Sequence, residues 1–157
     1  PAGEETLAQA LADLCPVLCA EEGFAHPPQD ALLDARRGRV LDIDPVYAIR
    51  YLGDAIYYFH AKDTRIDEIN TKTNGVLDTK HYADEIHRSW IFRSVGYGHD
   101  YQTWKDIMSN LRLVGYDGPI SIEHEDSVMS MGEGLQKAIA FLKEVMIFEE
   151  KGGMWWA

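Results

Sequence analysis

The feature that most constrains the fold is an apolar run that ends in polar residues, at residues 55–65 (AIYYFHAKDTR). Residues 56–59 are aromatic or β-branched, which is typical of a buried strand. Polar side chains then follow from His60 to Arg65. We therefore predict a strand that carries these side chains to its carboxyl end, where α/β sheets place their chemistry.

A second stretch repeats this arrangement at residues 118–126 (GPISIEHED), where a short β-prone run ends at Glu123. A single histidine at a strand end, such as His60, is more often structural than functional. Two such ends favour a site, because a buried charge costs several kcal/mol unless it is paired or metal-bound. We predict that the two strand ends form the walls of one site.

Helix signals place these strands in an α/β arrangement. Asp44 and Pro45 predict a helix start, and Gly53 its end. A strand follows within two residues, which favours parallel pairing. Asp100 is predicted to cap a further helix. The buried face of that helix is predicted to comprise Trp104, Ile107, Met108 and Leu111.

The first quarter of the chain carries weaker signals. Apolar residues at three- and four-residue spacing predict a helix over residues 4–14, and one or two helical turns are expected over residues 31–37. We divide the chain into an N-terminal helical segment, residues 1–43, and a second domain, residues 44–157.

Composition excludes several classes of protein. With 46% hydrophobic and 26% charged residues, the chain is typical of a globular domain and not of a disordered one. Fifteen basic and 26 acidic residues give a net charge of −11, which disfavours nucleic acid as a partner. No apolar run reaches the roughly 20 residues of a membrane span, and Glu4 and Glu5 stand where a secretory signal would be basic. We therefore expect a cytoplasmic protein that binds no membrane.

Three separated motifs carry a resemblance to a known family. They are FHAKDTR at residues 59–65, GYGHD at 96–100 followed by Trp104, and GYDGPISIEHED at 115–126. Together they resemble the last third of the sugar phosphate isomerase/epimerase family, the xylose-isomerase-like TIM barrels. The resemblance runs from about Asp44 to Leu142 in the family's order and does not extend to residues 1–43.

The resemblance implies a divalent metal site at the mouth of a barrel. His60 matches the histidine ligand of the seventh strand, and Glu123 the glutamate ligand of the eighth, where it also serves as catalytic base. Asp34 lies where the family has an aspartate ligand, although its neighbours, DARR, depart from the family motif. Manganese, magnesium, zinc or cobalt would bind weakly, because only two of these ligands match clearly.

The resemblance also implies roles for the polar residues around the metal. Lys62, Arg65 and His99 would bind the oxygens or the phosphate of a sugar or sugar phosphate. Asp63 or Glu125 would orient an imidazole ligand by a hydrogen bond.

The length of the chain limits how much of the family's fold it can form. A TIM barrel needs at least about 200 residues, so we expect a partial (β/α) barrel of the last two or three βα units and not a closed eight-stranded barrel. Its open sheet edges must be covered, which favours a homo-oligomer. A metal-dependent isomerase or epimerase, or a fragment of one, is the first hypothesis. A noncatalytic oligomeric fragment is the second, and a phosphodiester hydrolase of the same fold is disfavoured by the acidic charge.

Overall fold

The computed structural model of the chain describes residues 31–34 and 44–156. Its strands are β1 (Ala31–Asp34), β2 (Ile56–Ala61), β3 (Asp63–Ile66), β4 (Trp90–Arg93) and β5 (Ile120–Ile122). Its α-helices are α1 (Pro45–Leu52), α2 (Glu68–Asn74), α3 (Tyr101–Leu113) and α4 (Met131–Val145). Short 3₁₀ turns lie at Gly53–Ala55 and Glu85–His87. The helix predicted over residues 4–14 lies outside the described residues.

Three parallel strands form the sheet that supports the site, in the order β1-β2-β5. Within the described ranges, the next element after β1 and after β5 is a helix, whereas β2 leads directly into β3, and the sheet does not close into a barrel. The α/β class and the parallel pairing are confirmed. The exact extent of the partial barrel and the domain division at residue 44 stay predictions.

The prediction of helical turns over residues 31–37 is wrong for residues 31–34, which form strand β1. Residues 31–34 pair in parallel with β2, with Leu33 beside Phe59 and Asp34 beside His60. Alanine and leucine favour helices in isolation, but pairing with a neighbouring strand overrides that weak preference.

A separate antiparallel hairpin, β3 with β4, leaves the sheet directly after β2. The core packs β2 against helices α1, α3 and α4, with Phe59, Ile49 and Trp104 fully buried. The predicted caps are confirmed: the Asp44 carboxylate accepts from the amide of Val46, and that of Asp100 from the amide of Thr103. The four predicted apolar residues of α3 are buried. Among the described helices, none is long and apolar enough to cross a membrane.

Candidate functional site

The candidate site lies where β2 and β5 end side by side. The two strands run in parallel, with His60 beside Ser121 in the register. Glu123 follows β5, and its Oε1 lies 2.7 Å from Nδ1 of His60. Both side chains are partly exposed, at 23% and 38%. The structure therefore brings the two strand ends together and places an imidazole against a carboxylate.

A buried ammonium holds this carboxylate in place. Lys62 is 3% exposed, and its Nζ lies 2.7 Å from Oε2 of Glu123 and 2.8 Å from Oε2 of Glu125. The same ammonium lies 5.2 Å from the centre of the Phe92 ring. Because a buried charge needs partners, Lys62 positions both carboxylates and neutralises part of their charge. The ammonium has three N–H donors. Two carboxylates engage it, so a substrate oxygen would contact the third.

Asp63 lies deeper and anchors the loop that follows β4. Its side chain is fully buried, and its carboxylate accepts hydrogen bonds from six donors. These are the backbone amides of Thr64, Gly96, Gly98 and His99, Nδ1 of His99 and Nε1 of Trp104. Asp63 therefore binds the imidazole of His99 and not that of the candidate ligand His60, and its role beside a ligand imidazole stays a prediction.

His99 is consequently placed away from solvent. Its side chain is 2% exposed, and Nδ1 lies 2.5 Å from Asp63 Oδ1. Its Nε2 has no hydrogen-bond partner among the residues that the structure describes. Gly98 permits this packing, since a Cβ there would lie 2.5 Å from the Asp63 carboxylate. The loop at residues 96–100 therefore packs beneath the site in this structure. Little of the His99 side chain is accessible to a substrate.

The two remaining predicted residues lie at the margins. Arg65 is exposed on β3 and forms no ion pair with any described residue. Asp34 ends β1 beside His60 in the register. The order β1-β2-β5 puts Asp34, His60 and Glu123 at the carboxyl ends of three adjacent parallel strands.

The distance between the two donor atoms, His60 Nδ1 and Glu123 Oε1, is compatible with both atoms binding one divalent cation. Ligand atoms bound to one ion at about 2.0–2.2 Å lie about 3 Å apart, and Nδ1 and Oε1 are separated by 2.7 Å. The same separation also fits a hydrogen bond from the imidazole to the carboxylate. Among the described side chains there is no group of three His, Cys, Asp or Glu residues that would hold a metal ion. A third ligand must therefore come from Asp34 or from outside these side chains.

Asp126 is a structural residue of the site that sequence reasoning missed. Its Oδ2 accepts from the amide of Ser94 at 2.7 Å and from Nε of Arg93 at 3.1 Å, and its Oδ1 accepts from the amide of Val128. Burial alone would raise the pKa of the Asp126 carboxyl, but these hydrogen bonds and the Arg93 charge outweigh it and hold the pKa below the ordinary 3.8. Asp126 thereby ties the segment after β5 to the end of β4.

This lowered pKa predicts a pH-dependent contribution to stability. A carboxyl whose pKa is lower in the folded state stabilises the fold above its unfolded pKa, and the contribution is lost as the pH falls through the folded value. We expect Asp126→Asn to lower the free energy of unfolding by about 2–3 kcal/mol at pH 7 and by progressively less below pH 3.8. Urea unfolding of both proteins at pH 7 and pH 3 measures this. An equal difference at the two pH values would contradict it.

Comparisons with known proteins agree with the resemblance carried by the motifs. The profile of the xylose isomerase-like TIM barrel family matches residues 8–145. The match therefore includes residues 8–43, most of the N-terminal segment to which the resemblance of the three motifs does not extend. The uncharacterized protein YfiH of Bacillus subtilis (strain 168) is 40% identical over 103 residues, which cover 66% of this chain and 33% of that protein. The chain thus spans about a third of the length of this curated relative.

Proposed function

The chain belongs to the xylose isomerase-like TIM barrel family, and from this membership we propose that it is, or is part of, a divalent-metal-dependent sugar isomerase or epimerase. The substrate class is a sugar or sugar phosphate, and the metal is manganese, magnesium, zinc or cobalt. Location in the cytoplasm and assembly into a homo-oligomer belong to the same proposal.

One observation carries the proposal. His60 Nδ1 and Glu123 Oε1 lie 2.7 Å apart at the ends of two neighbouring strands, and the register places Asp34 at the end of the third. A histidine and two carboxylates form a ligand set that suits the proposed metals. Carboxyl ends of adjacent parallel strands are also the usual place for the catalytic groups of a barrel.

Each residue of the site would have a distinct part in the reaction. His60, Glu123 and Asp34 would hold the metal, which when bound polarises the carbonyl and hydroxyl oxygens of a sugar. Glu123 would accept a proton from the carbon next to the carbonyl and return it to a neighbouring carbon or the opposite face. Lys62 would keep the Glu123 carboxylate in position through its bond to Oε2.

The alternative is a noncatalytic oligomeric barrel fragment. It is favoured by the observation that the described side chains include only two candidate ligands in contact and no group of three. The two proposals differ in whether the chain moves a proton on a sugar in a metal-dependent way.

Proton exchange with solvent tests the proposed activity. We expect the chain with manganese in D₂O to exchange the hydrogen next to the carbonyl of at least one sugar in a panel of aldoses and ketoses, measured by mass spectrometry as carbon-bound deuterium that remains after return to H₂O. Chelation should stop the exchange, and Glu123→Gln should slow it by about 100- to 10,000-fold. Glu144→Gln, the same change on an exposed part of α4, should leave the rate unchanged. Absence of exchange by a chain that binds manganese would favour the noncatalytic alternative.

A further inference from the structure

The chain contains three asparagines, at positions 70, 74 and 110, and hydrogen bonds hold the carboxamides of two of them. Asn70 Nδ2 donates to the backbone carbonyls of Ile86 at 2.8 Å and Arg88 at 3.0 Å. Asn110 Oδ1 accepts from Nε of Arg50 at 2.6 Å, and its Nδ2 donates to a backbone carbonyl of its own helix at 2.7 Å. The orientation of both carboxamides is therefore fixed.

The third asparagine, Asn74, is exposed, and its carboxamide forms no hydrogen bond with any described residue. It is the last residue of α2 and precedes Gly75, and the sequence contains no other Asn-Gly pair. Gly75 has a φ of 70°. A Cβ built on it would meet no atom within 4 Å, so no neighbouring group shields the backbone on that side.

An exposed asparagine followed by glycine is prone to spontaneous deamidation, because asparagine is thermolabile and glycine has no side chain to hinder attack. The backbone nitrogen of the glycine attacks Cγ of the asparagine, the Cγ–Nδ2 bond breaks, and ammonia leaves with the amide proton. Water then opens the five-membered succinimide ring at either of its two carbonyl carbons, which gives aspartate or isoaspartate. Water is the only co-reactant, and nothing is oxidised or reduced.

One backbone hydrogen bond opposes this reaction in the folded chain. The amide of Gly75, which must act as the nucleophile, donates to the carbonyl of Thr71 at 2.9 Å. Helix α2 has only seven residues, and none of them is buried. The ends of such short, exposed helices open at a small cost in free energy. Opening of the last turn therefore frees the amide without unfolding the rest of the chain.

The reaction would change a helix that supports the segment before β4. It places a negative charge at the C-terminus of α2, where the helix dipole is already negative, and isoaspartate adds a methylene group to the backbone there. Asn70 and Thr71 of the same helix donate to the backbone carbonyls of residues 86, 88 and 89, which lead into β4. Deamidation at the end of α2 should weaken these contacts.

We propose that Asn74 is a site of spontaneous deamidation in the folded chain, and that the product loosens α2 from the segment before β4. The reactants are the chain and water alone. The inference is therefore independent of the proposed enzymatic function.

Mass spectrometry of tryptic peptides tests the proposal, because the three asparagines fall in separate peptides, residues 66–72, 73–80 and 106–112. The folded 157-residue chain is incubated at pH 8, and a sample digested at once gives the baseline. We expect peptide 73–80 to be replaced by two isomers, heavier by the change of NH₂ to OH, while the other two peptides stay unchanged. The conversion should be slower at pH 6, because the amide attacks in its deprotonated form.

Two comparisons separate the chemistry from its structural setting. The rate in the folded chain should lie within about tenfold of that in the guanidinium-unfolded chain, as expected where a helix end opens readily. Amide hydrogen exchange at residues 86–89 should be faster in the converted chain than in the fresh one. Asn74→Gln, which keeps a carboxamide but would have to form a six-membered ring, should show neither conversion nor faster exchange after the same incubation.

Three results would overturn the proposal. Intact Asn74 in the folded chain, under conditions that convert it in the unfolded chain, would show that α2 protects the pair. Equal conversion of all three asparagines would show that the free carboxamide and the following glycine confer no selectivity. Unchanged exchange at residues 86–89 after conversion would contradict the proposed effect on the packing of α2.

Discussion

Asp63→Asn should lower the free energy of unfolding by about 3–5 kcal/mol, the usual cost of breaking a buried charged network. The Asp63 carboxylate is fully buried and accepts from amides at residues 96–99, from His99 and from the Trp104 indole. An asparagine amide would present N–H groups to some of these donors and leave others without an acceptor. Urea unfolding followed by circular dichroism measures the loss.

The matched control for this substitution is Asp117→Asn, which makes the same change at an exposed aspartate. It should alter the free energy of unfolding by less than about 0.5 kcal/mol. Amide hydrogen exchange provides a local readout, because residues 96–99 should lose protection in Asp63→Asn before the helices do. An Asp63→Asn protein as stable as Asp117→Asn would show that this network does not stabilise the fold.

The elements that sequence predicted correctly are those specified by nearby residues. Asp44 and Asp100 cap helices because a carboxylate two or three residues ahead of an amide can reach it in any context. The strand ends at His60 and Glu123 were predictable for a similar reason. An apolar run followed at once by polar residues marks both the strand and its end.

The elements that sequence missed depend on distant partners. The ALLD sequence of β1 has no β-branched residue, so only its pairing with β2 makes it a strand. The contact between Asp63 and His99 gave no signal in the sequence, because the two residues are 36 positions apart and meet only in the fold.

Metal binding should be abolished by removing either of the two ligands in contact. A site that already depends on few protein ligands cannot keep a measurable affinity after losing one, since each ligand contributes directly to holding the ion. We therefore expect both His60→Ala and Glu123→Gln to bind manganese at least 100-fold more weakly than the native chain. Both side chains are partly exposed, so the variants should remain folded, which circular dichroism checks.

Asp34→Asn extends this comparison to the third strand end. The register places Asp34 beside His60, so its carboxylate should be needed as well if the three strand ends form one site. Unchanged affinity in this variant would restrict the site to His60, Glu123 and ligands from outside these strands. Glu144→Gln on α4 is the control for removing one negative charge.

The central claim, that the ends of these strands form a metal site, is tested most directly by calorimetric titration of the purified chain with manganese. We predict saturable binding to the native chain and to Glu144→Gln, and no detectable binding to His60→Ala or Glu123→Gln. No binding to the native chain, or equal binding to all four proteins, would contradict the claim.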